Sequence, residues 1–168
     1  MVNYQQIRNE KDRFFAEHPQ SPLTPEQQHV FRGLDYYAPN PDLRYEVSVR
    51  VFDSHDSIQI PTSTGQFQTY TRYGRVVFRI DGQEAALTHY RNEHGFFLPF
   101  VDALAGAETY PAGRYLEVEQ LPDGQFLVDF NLAYNPYCAY NDSWSCPLTP
   151  FENRLKVPIR AGEKTFRT

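Results

Sequence analysis

The chain has 168 residues, a formal net charge of −5, 40% hydrophobic residues and two cysteines. This length fits one domain that buries roughly 70% of the surface its unfolded form exposes. Basic residues are scattered rather than clustered, which excludes the electrostatic footprint that phosphate backbones or anionic membranes require.

The amino terminus, MVNYQQIRNEKDRFF, is polar where a signal peptide needs an apolar stretch, and no run approaches the ~20 apolar residues of a membrane span. The expectation is a soluble, cytoplasmic protein without nucleic-acid or membrane partners. Two cysteines are far below the density of a disulfide scaffold, which agrees with a reducing compartment. Composition leaves the oligomeric state open.

The first 33 residues read as helical. Asn3 with Gln6 three positions on resembles a capping box, and Tyr4, Ile7, Phe14 and Phe15 fall near one side of a helix. That helix stops by His18-Pro19, because the residue before proline avoids the helical region. A second, short helix starts at Thr24 as N-cap, with Pro25 in the first position, Gln27 reaching back and Gly33 at the far end. Tyr36 to Pro41 then forms a linker.

From Leu43 the period changes to two. Tyr45, Val47, Val49 and Val51 alternate with Arg44, Glu46, Ser48 and Arg50, the pattern of a strand with one buried face. Further strands are predicted at Ser57 to Pro61, Gln66 to Tyr73, Arg75 to Asp81 and Glu84 to Tyr90, separated by Thr64-Gly65, Tyr73-Gly74 and Asp81-Gly82. Asp-Gly is the strongest of these signals, since a primed hairpin turn needs positive φ at both positions. After His94-Gly95 come Phe96 to Phe100, Gly113 to Gln120, Gln125 to Asn131 and a last strand, Arg154 to Arg160. About eight or nine short antiparallel strands follow, and sheets of that size hide their edges by closing or folding over. The predicted fold is therefore mainly β: an antiparallel β-barrel or strongly curled half-barrel with two N-terminal helices, residues 1–168 forming one domain.

Tyr134 to Leu155 holds both cysteines, the only tryptophan and three prolines. It has no helical or strand period and too many aromatics for a solvated loop, so it reads as a structured loop that plugs one end of the barrel or walls a ligand site. Tyr134, Tyr137, Tyr140 and Trp144, flanked by Asn135 and other amides, form either a lid or a stacking platform for a sugar or flat ring, the lid being favoured.

Inward polar residues mark the other candidates. Arg114 shares parity with Leu116 and Val118, so it points into the barrel with them. A buried guanidinium demands a partner, and Asp129, Glu152 and Glu163 are the candidates. Asn131 lies beside Asp129, and Asn153 beside Glu152. A structural ion pair is favoured over a clamp for a carboxylate or phosphate. His89 shares parity with Ala85 and Leu87 and reads as a core histidine before a general base.

The strings FFLPFVDALAGAETYPAGRYL (Phe96 to Leu116), DFNLAYNPYCAY (Asp129 to Tyr140), CPLTPFENRL (Cys146 to Leu155) and IRAGE (Ile159 to Glu163) resemble a prokaryotic family of unknown function. It is number 1684 in the domain-of-unknown-function series. Tyr137 and Thr149 stand where such proteins usually carry proline, while the cysteines and Glu152-Asn153 stay in register. The resemblance carries no assigned reaction. It places the loop at the centre of the molecule.

Cys138 and Cys146 admit four fates. A disulfide would add about 2.5 kcal/mol on the chain-entropy estimate, against cytosolic conditions. Zinc would need His89 and His94 in a spacing that fits no finger pattern, so no metal site and no cofactor are predicted. A cysteine nucleophile would need a nearby base, and no histidine lies close in sequence. Burial as small hydrophobes is the commonest outcome. The functional expectation is binding of a small polar or anionic molecule under the 134–155 loop. The alternatives are a small-molecule hydrolase or lyase using Glu152 or His89 as proton carrier, and an interaction module.

Overall fold

The computed structural model describes residues 1–166. Helix α1 (Tyr4–Glu17) begins where the Asn3 side chain accepts a hydrogen bond from the Gln6 N–H and ends at His18. Helix α2 (Pro25–Val30) has the full reciprocal capping box of Thr24 and Gln27. Only Phe15 of α1 is buried, against Leu23 and Tyr140, and Ile7, predicted on the apolar side, is 42% exposed.

The described residues form nine strands: β1 (Arg44–Val47), β2 (Arg50–Val51), β3 (Ser57–Pro61), β4 (Phe67–Ile80), β5 (Gln83–Asn92), β6 (Gly95–Phe100), β7 (Arg114–Glu117), β8 (Glu119–Gln120) and β9 (Phe126–Asp129). All pair antiparallel. The barrel expectation needs correction. Two separate sheets form, one of three strands in the order β1-β9-β8 and one of six in which β2-β4-β5-β6-β7 run side by side and β3 also pairs β4. The chain changes sheet between Val47 and Arg50 and again at Val118, and the ladders are not joined at these corners. The inner faces share one core. Val76, Phe78, Leu87, Leu98, Phe100 and Leu116 from the larger sheet meet Phe126 and Val128 from the smaller.

Two turns of the sequence reading resolve differently. At Asp81 and Gly82 φ is 50° and 77°, the positive pair that a primed hairpin demands, and β4 reverses there into β5. Tyr73-Gly74, predicted as a turn, lies inside one continuous 14-residue strand, at a register shift between Arg72 and Gly74. A Cβ on Gly74 would sit 2.5 Å from Val49 Cγ1 and 2.7 Å from the Arg50 carbonyl, so this glycine admits β2 onto the strand instead of turning it.

The predicted last strand, Arg154 to Arg160, is irregular chain with a single bridge from Arg154 to Val101. Pro158 lacks the N–H a ladder would use; backbone bonds at Leu155 and Val157 hold the first part of the segment, and the Arg114 and Asp102 side chains hold Ile159.

Candidate functional site

Arg114 opens β7 facing the core at 1% exposure, as its parity predicts, but none of the three expected carboxylates pairs with it. Its Nη2 lies 3.7 Å from Asp102 Oδ2 and donates to the Ile159 carbonyl at 2.9 Å. Its Nη1 donates to the carbonyls of Ala161 and, at 3.0 Å, Glu163. Asp102 in turn accepts from the Thr109 hydroxyl at 2.8 Å and the Ile159 N–H at 2.8 Å. Burial lowers the guanidinium's pKa and Asp102 opposes that. With these donors committed to protein acceptors, Arg114 fastens residues 159–163 to the larger sheet.

The other predicted carboxylates lie in separate places. Glu163 is buried and bonded by Lys11 of α1 and by the Tyr140 hydroxyl. Asp129 accepts from Tyr4 Oη at 2.6 Å and from Asn131, whose amide exchanges hydrogen bonds with the Asn40 backbone at 2.8 and 2.9 Å. Glu152, 37% exposed, takes a bidentate fork from Arg72 at 3.1 and 2.8 Å and a bond from the Tyr90 hydroxyl. Burial alone would raise the Glu152 pKa, but Arg72 and Tyr90 together hold the carboxyl below its usual range. Its neighbour Asn153 is wholly buried and bonds the backbone of Thr88 and Pro99. Among the described residues no single ionic cluster lies under the loop.

His89 is fully buried, with neither ring nitrogen hydrogen-bonded. Tyr73 and Phe126 stand perpendicular to it at 5.9 and 5.0 Å, and Phe96 lies at 4.7 Å. Burial pushes its pKa down to about 4. The unfolded chain, with an ordinary value near 6.5, takes up a proton that the folded chain refuses. Stability conferred by neutral His89 is therefore complete above about pH 6.5 and is lost as pH falls toward about 4, by about 3 kcal/mol. Denaturant unfolding of His89→Leu beside the parent across that window checks this: the parent should lose that much more stability than the variant, and parallel pH profiles would refute it.

The loop itself runs as two short 3-10 turns, Tyr137–Ala139 and Phe151–Asn153, joined by irregular chain. Tyr137 and Trp144 pack edge to face at 5.2 Å, and the Trp144 indole N–H donates to the Pro22 carbonyl at 3.0 Å, which ties the loop to the segment between the helices. The Asn135 amide donates to the Lys164 carbonyl at 3.0 Å. Cys138 and Cys146 are free thiols, and the Cys138 N–H donates to Cys146 Sγ at 3.3 Å.

Two open clefts adjoin the loop, one of about 430 Å³ beside Leu148, Pro150 and Phe151, and a more aromatic one of about 390 Å³. In the second, Tyr134 and Pro147 form the loop wall, Tyr70, Phe97 and Tyr115 the sheet floor, and Glu117, Asn92 and His94 supply the polar groups. The rings touch in series: Tyr70 stacks on Phe97 at 5.3 Å, Phe97 meets Tyr115 edge-on at 4.8 Å, and Tyr115 meets Tyr134 at 5.9 Å. The Tyr134 hydroxyl donates to Glu117 Oε1 at 3.3 Å, and the Tyr115 hydroxyl bonds the Pro147 carbonyl. Of the sequence-predicted site residues only Tyr134 lines this space. Tyr70, Phe97, Tyr115 and Glu117 were not singled out. Tyr115 and Glu117 have the parity opposite to Leu116 and Val118, so alternation places them outside the core, where an aromatic is the signal.

A family model described as a protein of unknown function, DUF1684, matches residues 29–164. The chain belongs to the DUF1684 family. The DUF1684 chain is also similar to an uncharacterised protein from gene locus rrnAC0354 of Haloarcula marismortui, solved by solution NMR. Identity is 42%, the match covers 96% of this chain and 91% of that one, and the TM-score is 0.73. No curated protein matches it. The family match begins within α2, so α1, which bonds Glu163 and Asp129 of this DUF1684 protein, precedes the matched region, and every predicted site residue lies inside it. No described helix is long and apolar enough to cross a membrane.

Proposed function

We propose that this DUF1684 protein binds a small molecule in the cleft walled by Tyr134 and Pro147, and that the ligand is neutral or cationic with a flat or hydroxylated face. The observation that carries the reading is the run of four touching rings, Tyr70, Phe97, Tyr115 and Tyr134, ending at the Glu117 carboxylate. Aromatic faces attract cations and the C–H faces of sugars, and a volume near 390 Å³ is within the range of small-molecule sites. An anionic ligand fits less well, because the cleft offers no guanidinium and the Arg114 donors are committed elsewhere. The hydrolase or lyase alternative is also less well supported. Glu152 is held ionised by Arg72 and Tyr90, and His89 has no exposed atom. The same reading takes the chain as one domain, its first helix fastened to β9 through Tyr4–Asp129 and to the segment around Glu163 through Lys11.

Titration of isotope-labelled protein with three probes, tetramethylammonium, adenosine and glucose, tests this by amide shifts. At least one probe should shift Phe97, Tyr115 and Tyr134 together, and Tyr134→Ala should weaken that probe at least tenfold. If tetramethylammonium is the probe that binds, Glu117→Gln should weaken it as well. Shifts elsewhere, or none with any probe, would remove the cleft as the site.

A further inference from the structure

The two thiols of the loop are arranged unequally. Cys138 is half-buried in the 3-10 turn Tyr137–Ala139, while Cys146 is buried at the loop's far end. Cys146 is pinned on both sides of its backbone: its N–H donates to Ser63 Oγ at 3.1 Å and its carbonyl accepts from the Ser63 N–H at 2.9 Å. That anchorage holds the Cys146 sulfur 3.3 Å from the Cys138 N–H. The Tyr110 hydroxyl lies 3.7 Å from the Cys138 sulfur.

The chemistry divides accordingly. Cys146 is the largest influence on Cys138 and, with smaller help from Tyr110 and Ser63, outweighs burial and holds its thiol below the ordinary cysteine range. The same contact pushes the Cys146 thiol up, and burial adds to that. A thiolate is the nucleophile in sulfur chemistry, and a second thiol within reach closes the disulfide as it gives up its proton to the departing hydroxide.

We propose that Cys138 and Cys146 form a hydroperoxide-reactive dithiol, in which Cys138 attacks the oxidant and Cys146 resolves the product into an intramolecular disulfide. In the first step the Cys138 thiolate bonds to one peroxide oxygen, the O–O bond breaks and hydroxide leaves, giving Cys138 sulfenic acid. The proton Cys138 lost on ionising neutralises that hydroxide. In the second step the Cys146 sulfur bonds to the Cys138 sulfur, the S–O bond breaks, and the departing hydroxide takes the Cys146 proton as water. Two thiols and one hydrogen peroxide thus give one disulfide and two waters. A small oxidant is specified by the half-buried position of Cys138, which leaves little room for a bulky one. A thiol reductant returns the pair to the starting state. Because Pro147 follows Cys146 and accepts the Tyr115 hydroxyl, the bond also stiffens one wall of the cleft, but the dithiol itself does not depend on a ligand there.

Peptide mapping of the whole protein tests this. Native reduced protein exposed to iodoacetamide should label Cys138 at least tenfold faster than Cys146. One equivalent of hydrogen peroxide should then link the two within one chain, reversibly by dithiothreitol. In Cys146→Ser the same treatment should leave a dimedone-reactive sulfenic acid at Cys138, and Cys138→Ser should yield neither product. Equal labelling of the two thiols, disulfides between chains, or thiols that remain alkylatable after peroxide would overturn the proposal. Should either variant fail to fold, the labelling order and the linkage in the parent protein decide alone.

Discussion

Arg114→Met is expected to lower stability by about 3–5 kcal/mol, read as a fall in the denaturant midpoint at an unchanged slope. Methionine approximates the stem of the arginine and can lie on Phe100, over which the guanidinium now sits at 5.1 Å. It cannot donate. The carbonyls of Ile159, Ala161 and Glu163 would lose their donor, and Asp102, 1% exposed, would keep a charge facing nothing positive. A buried charge stripped of its partner is the costly half of a broken pair. Adding Asp102→Asn to this variant should therefore recover part of the loss, because the charge goes while the side-chain oxygen still accepts from Thr109 or Ile159. Amide exchange should speed up first in residues 159–163. A loss under about 1 kcal/mol would mean that water already serves those carbonyls.

Asn153→Ala should cost about 2–4 kcal/mol for a different reason. Strands β5 and β6 pair from Tyr90↔Phe97 to Asn92↔Gly95, so continuing the register sets Thr88 opposite Pro99. Proline has no N–H to give, and the ladder stops there. The Asn153 side chain supplies the missing peptide group: Oδ1 accepts from the Thr88 N–H at 2.7 Å, and Nδ2 donates to the Thr88 and Pro99 carbonyls at 2.9 and 2.8 Å. Alanine would leave three backbone groups unbonded in a fully buried place. Asn153→Asp should be at least as damaging, since a carboxylate would face two carbonyls with no proton to offer. Thermal unfolding ranks the three proteins, and a variant with parental stability would show that another group can close the gap.

These two residues show what the sequence makes legible. Period-two alternation places Arg114 on the inner face, because a strand's geometry is local. Its partner Asp102 sits in the irregular chain after β6, where no period relates residue to direction. Asn153 was grouped with the loop from its neighbours alone, with no sign that it would complete a ladder broken by Pro99. The helix caps and the Asp81-Gly82 hairpin were readable because each is decided within four residues. Gly74 was not, since its reason is Val49, brought close by pairing. The division into two sheets escaped for the same cause: alternation tells which side of a strand is buried but not whether neighbouring ladders join. The cleft lies on the outward parity of β7, whereas the polar residues that alternation makes conspicuous lie on the inward one.

The anchorage of Arg114 also dictates when this protein can finish folding. Its nearest carbonyl partner, on Ile159, is made 45 residues later. At ~5–20 residues per second the ribosome needs roughly 2–9 s to add them. Throughout that interval the arginine has only Asp102 and water to answer it, so the two sheets cannot shut over it. A nascent chain halted before residue 159 should leave the interior open at β7, and closure waits for the arrival of residues 159–163.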